Sequence, residues 1–132
     1  FNGKTNYAIV EKYDISDLTK PLAVYSIPEL VQGFCVKNDG TIILSTSWSI
    51  NSSKFYIYEP DKIINTGTQY NGADVFFLGE ASKTVKAPAM SEDLDIIKVD
   101  GKESVITMFE SACNKYIFGK FFFANYIACM NF

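Results

Sequence analysis

The sequence predicts an all-β chain, and three observations carry that prediction. An internal repeat returns after about sixty residues: Ile27-Pro28-Glu29-Leu30-Val31-Gln32-Gly33-Phe34 reappears as Ala87-Pro88-Ala89-Met90-Ser91-Glu92-Asp93-Leu94. Lys37-Asn38-Asp39-Gly40 reappears as Lys98-Val99-Asp100-Gly101, and Lys54-Phe55-Tyr56-Ile57 as Lys115-Tyr116-Ile117-Phe118. Short runs of β-branched and aromatic residues alternate with Asn, Asp, Gly and Pro turn signals at regular spacing. Only residues 27–31 and 89–94 hold enough pattern for a helical turn, and neither is long enough for a helix. Repeats of this length in strand-forming sequence read as antiparallel four-stranded blades of a β-propeller, none of which buries its own faces alone.

The elements follow in order. Residues 7–15 read as a strand, with a turn at Ser16-Asp17 and a second strand over 22–27; Pro21 sits at the strand start, where its missing donor costs little. Residues 33–36 lead into Asn38-Asp39-Gly40, whose Asp-Gly pair is a strong hairpin signal. Residues 41–47 are mostly apolar and β-branched, which predicts a strand buried on both faces. Residues 50–53 read as a polar loop, and 54–59 alternate like an outer strand. The segment 60–71, with Pro60-Asp61, Asn65-Thr66-Gly67 and Asn71-Gly72, reads as loop, and 73–78 as a further strand. The second copy of the repeat starts at Pro88: a strand over 94–99, the Asp100-Gly101 turn, a buried strand over 104–109, then apolar segments at 115–123 and 126–129.

This division gives about two and a half units. Residues 1–27 supply two outer strands, 28–86 a full blade and 87–132 a further blade. A closed propeller needs about four to eight blades. An open stack leaves apolar sheet faces and edges bare, which invites association. The missing blades are therefore expected from another copy, from a second chain, or from a part of this chain that was removed. The sequence starts Phe1-Asn2-Gly3-Lys4, with no apolar leader and no methionine, which fits a processed product or an excised piece. The alternative all-β architecture is a compact sandwich.

Composition excludes several classes of function. At 132 residues with 48% hydrophobic side chains, the chain is long and apolar enough for one folded domain with a real core. Its net charge of −3 argues against a nucleic-acid surface, and every one of its 12 cations is a lysine, so it has no bidentate fork for phosphate or guanine. Histidine is absent, which removes the commonest general base and metal ligand. The longest apolar stretches fall far short of the ~20 residues of a membrane helix. Cys35, Cys113 and Cys129 form at most one disulfide, match no zinc spacing, and read otherwise as free thiols.

Val31-Gln32-Gly33-Phe34, the Asn38-Asp39-Gly40 hairpin and Leu44-Ser45-Thr46-Ser47 together resemble one blade of a group of bacterial and fungal secreted β-propeller proteins. Pro88-Ala89-Met90-Ser91-Glu92, Asp100-Gly101, and Phe109-Glu110-Ser111-Ala112 with Lys115-Tyr116 resemble their following blade. The resemblance spans about residues 20–118, toward the carboxyl end of such domains, and implies a propeller fold and an extracellular, secreted setting. It implies no settled activity. Asp93 departs from it, since glycine is expected after the Ser-Glu pair.

The candidate site residues come from the ends of the innermost strands, which reach one mouth of a propeller tunnel. The repeat matches Gln32 with Glu92 and brings Ser47 close to the place of Ser111. Gln32, Ser47, Ser91, Glu92, Glu110 and Ser111 would then form a polar ring for a ligand. Glu92, Asp95 and Glu110 offer oxygen ligands that suit calcium; no other cofactor is implied. The structural alternative has Ser91 and Glu92 capping a tight turn and Glu110 paired to Lys115. Trp48, just past an inner strand, is a contact anchor or a blade-packing residue. Phe121-Phe122-Phe123 with Tyr126 and Phe132 is apolar on both faces, as a terminal core strand or a strand covered by a partner. Asn51-Ser52-Ser53 is a glycosylation acceptor triplet, used only in a eukaryotic secretory setting.

No serine has a histidine to activate it, Cys35 lies in an apolar strand, and Gly67 and Gly72 are turn glycines rather than a phosphate loop. The sequence therefore points to a non-catalytic binding or assembly module, a partial propeller completed by self-association or by a second protein chain. It would bind through blade faces and through loops near residues 48–53 and 60–71. The alternative is a metal-assisted hydrolase or lyase of the propeller kind, using Glu92, Asp95 and Glu110 at the tunnel mouth.

Overall fold

Alternating apolar and polar residues, cut by tight turns, produce a chain of strands with no α-helix among the described residues. The computed structural model describes residues 8–49, 51–109 and 127–132. Its strands are β1 (Ala8–Asp14), β2 (Asp17–Ile27), β3 (Val31–Val36), β4 (Ile42–Thr46), β5 (Ser52–Tyr58), β6 (Ile63–Tyr70), β7 (Ala73–Leu78), β8 (Lys83–Ala89), β9 (Ser91–Val99), β10 (Lys102–Phe109) and β11 (Ala128–Met130). They form three sheets, ordered β1-β2-β7-β6, β3-β4-β5-β8 and β9-β10-β11. The all-β class and its antiparallel sheets are as the sequence predicts, save that β2 and β7 run parallel.

The second sheet lies between the other two. Ile42 and Leu44 of β4 point into a core shared with the first sheet, beside Ile27, Tyr58 and Leu78. Ile43 points the opposite way, into a core with Cys35, Phe55, Leu94, Val105 and Phe109 of the second and third sheets. Residues 42–45 are all buried, so the apolar β-branched run does serve two faces at once. Each such side chain contributes about 1.5–3 kcal/mol by leaving water.

The internal repeat is visible in the backbone. Leu30 (φ 62°) and Met90 (φ 60°) both adopt the left-handed conformation one residue before β3 and β9. Residues 27–31 and 89–94, where the sequence allowed a helical turn, are instead strand, left-handed turn, strand. Where β3 meets β9 the approach is close: a Cβ on Gly33 would lie 2.7 Å from the Leu94 amide nitrogen and 2.9 Å from the Glu92 carbonyl oxygen.

Four expectations change. The segment 60–71, expected as loop, forms a 3-10 turn (Pro60–Lys62) and then β6. Its ladder breaks between Asn65 and Gln69, where Thr66 Oγ1 donates to the Val75 carbonyl at 2.8 Å in place of regular pairing. Residues 73–78 leave the second unit and pair with β2 as β7, because the free edge of β2 satisfies their backbone while Val75 and Leu78 are buried. Pro21 lies inside β2 rather than at its start, opposite Tyr13, where the register shifts and a missing donor is tolerated. Lys83–Ala89, to which the sequence assigned no strand, is the outer strand of the second sheet, with Val85 and Ala87 packed inward. The expected segment at 115–123 and the Phe121-Phe122-Phe123 run lie outside the described residues.

Candidate functional site

Two depressions are lined by some of the residues singled out by the sequence. The first lies at one end of the second sheet, between the β2–β3 and β4–β5 connections. It encloses about 270 Å³ and is lined by Glu29, Leu30, Ser47, Trp48, Asn51 and Tyr56, among others. The Ser47 amide donates to the Leu30 carbonyl at 3.3 Å, and the Asn51 amide to the Trp48 carbonyl at 3.2 Å. Ser49 takes a left-handed φ of 54°, which turns the chain sharply after Trp48. Trp48 is left 64% exposed and Leu30 46% exposed, beside a carboxylate and an amide. The structure thus brings Ser47, Trp48 and Asn51 together.

The second depression, of about 220 Å³, lies on the face of the third sheet turned away from the second. Glu92, Asp93, Asp95, Ile106, Met108 and Ile127 are among its lining residues. Alternation explains the split: Leu94, Val105 and Phe109 point into the core, while their neighbours Asp93, Asp95, Ile106 and Met108 point the other way. Met108 is 61% and Ile127 62% exposed. Glu92 and Asp95 therefore line the same depression, with Asp93 between them in the chain. Glu110 and Ser111 lie outside the described residues, and among those described no three of His, Cys, Asp or Glu converge closely enough to hold a metal ion.

Ser91 and Gln32 line neither depression. Gln32 stands exposed on β3. Ser91 is sealed from solvent and belongs to a ladder of hydroxyl groups between and within the second and third sheets. The Ser91 amide donates to Ser53 Oγ at 2.9 Å, and the Ser91 and Thr107 hydroxyls lie 3.2 Å apart. Thr107 Oγ1 donates to the Asp93 carbonyl at 2.9 Å, and Ser45 Oγ to the Glu92 carbonyl at 3.0 Å. Burial makes these bonds necessary, because an unpaired polar group there costs about 1–3 kcal/mol.

No family model, no curated protein and no solved structure matches the chain. The chemistry of the site rests on its own residues. Cys35 and Cys129 are both free thiols. Burial first, and then the nearby charges of Asp95 and Asp93, push the Cys35 thiol up to about 12, which holds it in its unreactive protonated form. Glu29, Leu30 and Tyr56 were not singled out by the sequence; their signal is structural, since the left-handed Leu30 turn is what brings them beside Trp48. Met108 and Ile127 were also missed, because only the register shows that they share a face with Asp93 and Asp95.

Proposed function

We propose that this chain is a non-catalytic binding and assembly module, a portion of a β-propeller whose stack of sheets is completed by further copies or by a second chain. One observation carries the reading. The second sheet is buried on both faces, whereas the third sheet has one face in the core and the other bearing exposed Met108, Ile127 and Ile97. In a repeated stack, that bare face is where the next sheet belongs. The strand β1 supports the same reading, since among the described residues it pairs only with β2 and lies at the edge of its sheet. A histidine-free chain with its buried thiol held protonated favours recognition over covalent catalysis.

The test is substitution of the bare face. Met108→Glu with Ile127→Glu changes exposed positions, so the variant is expected to fold with the same circular dichroism as the parent. Sedimentation velocity is then expected to show assembly weakened by at least about ten-fold, since two charges are placed where apolar surface must dry. Assembly of the variant at the parent's strength would contradict the reading.

A further inference from the structure

The repeat lets each position on the third sheet be compared with its counterpart on the second. Leu30 and Met90 share the left-handed turn, so Gly33 and Asp93 each occupy the third position after it, and Cys35 and Asp95 the fifth. On the second sheet these positions accept the third: Gly33 allows β9 to come so close that a Cβ would lie 2.7 Å from the Leu94 nitrogen, and Cys35 is buried in the shared core. On the third sheet the same two positions hold carboxylates. Both are exposed, and they border the depression floored by Ile106 and Met108. A sheet of the kind that β9 belongs to cannot dock there at the same distance, because Asp93 has the side chain that Gly33 must lack.

The carboxylates are turned outward and neither is in an ion pair with another described residue, whereas Asp39 and Asp61 pair with Lys37 and Lys62. Each instead accepts the amide of its following residue, Asp93 from Leu94 at 2.8 Å and Asp95 from Ile96 at 2.7 Å. Bringing an uncharged strand over them would strip both of water with no compensating charge, whereas an incoming ammonium or guanidinium would pair with them.

From this juxtaposition we propose that the far face of the third sheet docks a cationic strand. The strand would lay apolar side chains over Ile106, Met108 and Ile127 and place lysine or arginine opposite Asp93 and Asp95. The proposal rests on the reading that this face is the open end of the stack, and adds the partner's chemistry: not a repeat of the chain's own third sheet, but a strand with alternating apolar and basic residues.

Two synthetic strands test it, one alternating valine with lysine and one alternating valine with glutamate, titrated into the isotope-labelled full chain. The lysine strand is expected to shift the Ile106, Met108 and Ile127 methyl signals and to bind about ten-fold or more tightly than the glutamate strand. Its affinity should fall as salt is raised and should drop to the level of the glutamate strand in Asp93→Asn/Asp95→Asn. Asparagine keeps the oxygen that accepts the neighbouring amide, so that variant is expected to stay folded. Equal binding of both strands at those methyl groups would overturn the charge selectivity while leaving the open face intact. Shifts from neither strand would overturn both, and lysine-strand affinity unchanged in the double variant would overturn the pairing with Asp93 and Asp95 alone.

Discussion

At the scale of single residues, the contact between the second and third sheets is set by what is small and by what can hydrogen-bond. Gly33 leaves the gap that β9 fills, and Ser45, Ser53, Ser91 and Thr107 satisfy polar groups that the contact cuts off from water. Gly33→Ala is therefore expected to lower the unfolding free energy by about 1–3 kcal/mol, because its methyl group meets backbone that has little room to move. Urea unfolding measures this; an unchanged midpoint would show that the two sheets sit farther apart than described. Part of this was legible in the repeat, which sets Gly33 against Asp93. The ladder was not legible. Nothing in the spacing of four hydroxyl residues says that they meet, since Ser53 and Ser91 approach only through the pairing of β5 with β8 and the turn at Met90.

At the scale of elements, the turns at Asn38-Asp39-Gly40 and Asp100-Gly101 and the β4 run were read correctly, and strands with unfavourable composition were missed. Ile42-Ile43-Leu44 announces a doubly buried strand because no polar residue interrupts it. β6 escapes notice because Asn65, Thr66 and Gly67 prefer turns, while pairing with β7 and the side-chain bond from Thr66 to Val75 help to hold it extended. Its pairing in the first sheet is a tertiary choice, decided by the free edge of β2. The β6–β7 hairpin turns on Asn71 (φ 51°) and Gly72 (φ 80°), and nothing lies within 4 Å of a Cβ placed on Gly72. Gly72→Ala thus adds only backbone strain, about 1–2 kcal/mol, or roughly a 5- to 30-fold change in local opening. Amide exchange is expected to accelerate by that factor in β7 while the amides of β4, buried between two sheets, keep their rates. Equal acceleration in both strands would mean that the hairpin is not a separately opening unit.

At the scale of the whole molecule, the repeat announced by the sequence is present as a repeated turn, and three sheets share two cores, with a smaller cluster of Val24, Ala73 and Val75 in the first sheet. The first sheet departs from it. β6 and β7 join β1 and β2 there, so the chain at 59–82 serves the sheet before the one it leaves. How the bare faces are covered was legible only as an imbalance, too many strands for one sheet and too few units for a ring. Which residues lie on the open face depends on register, which the sequence does not specify in advance.

The central claim is that this stack of sheets is finished by association. Absolute mass in solution, by light scattering across a range of concentrations, tests it most directly. The account predicts a particle of two or more chains of 14.8 kDa, or a single chain whose mass rises when the valine–lysine strand is added. A folded particle of one chain mass at every concentration, unchanged by that strand, would contradict it.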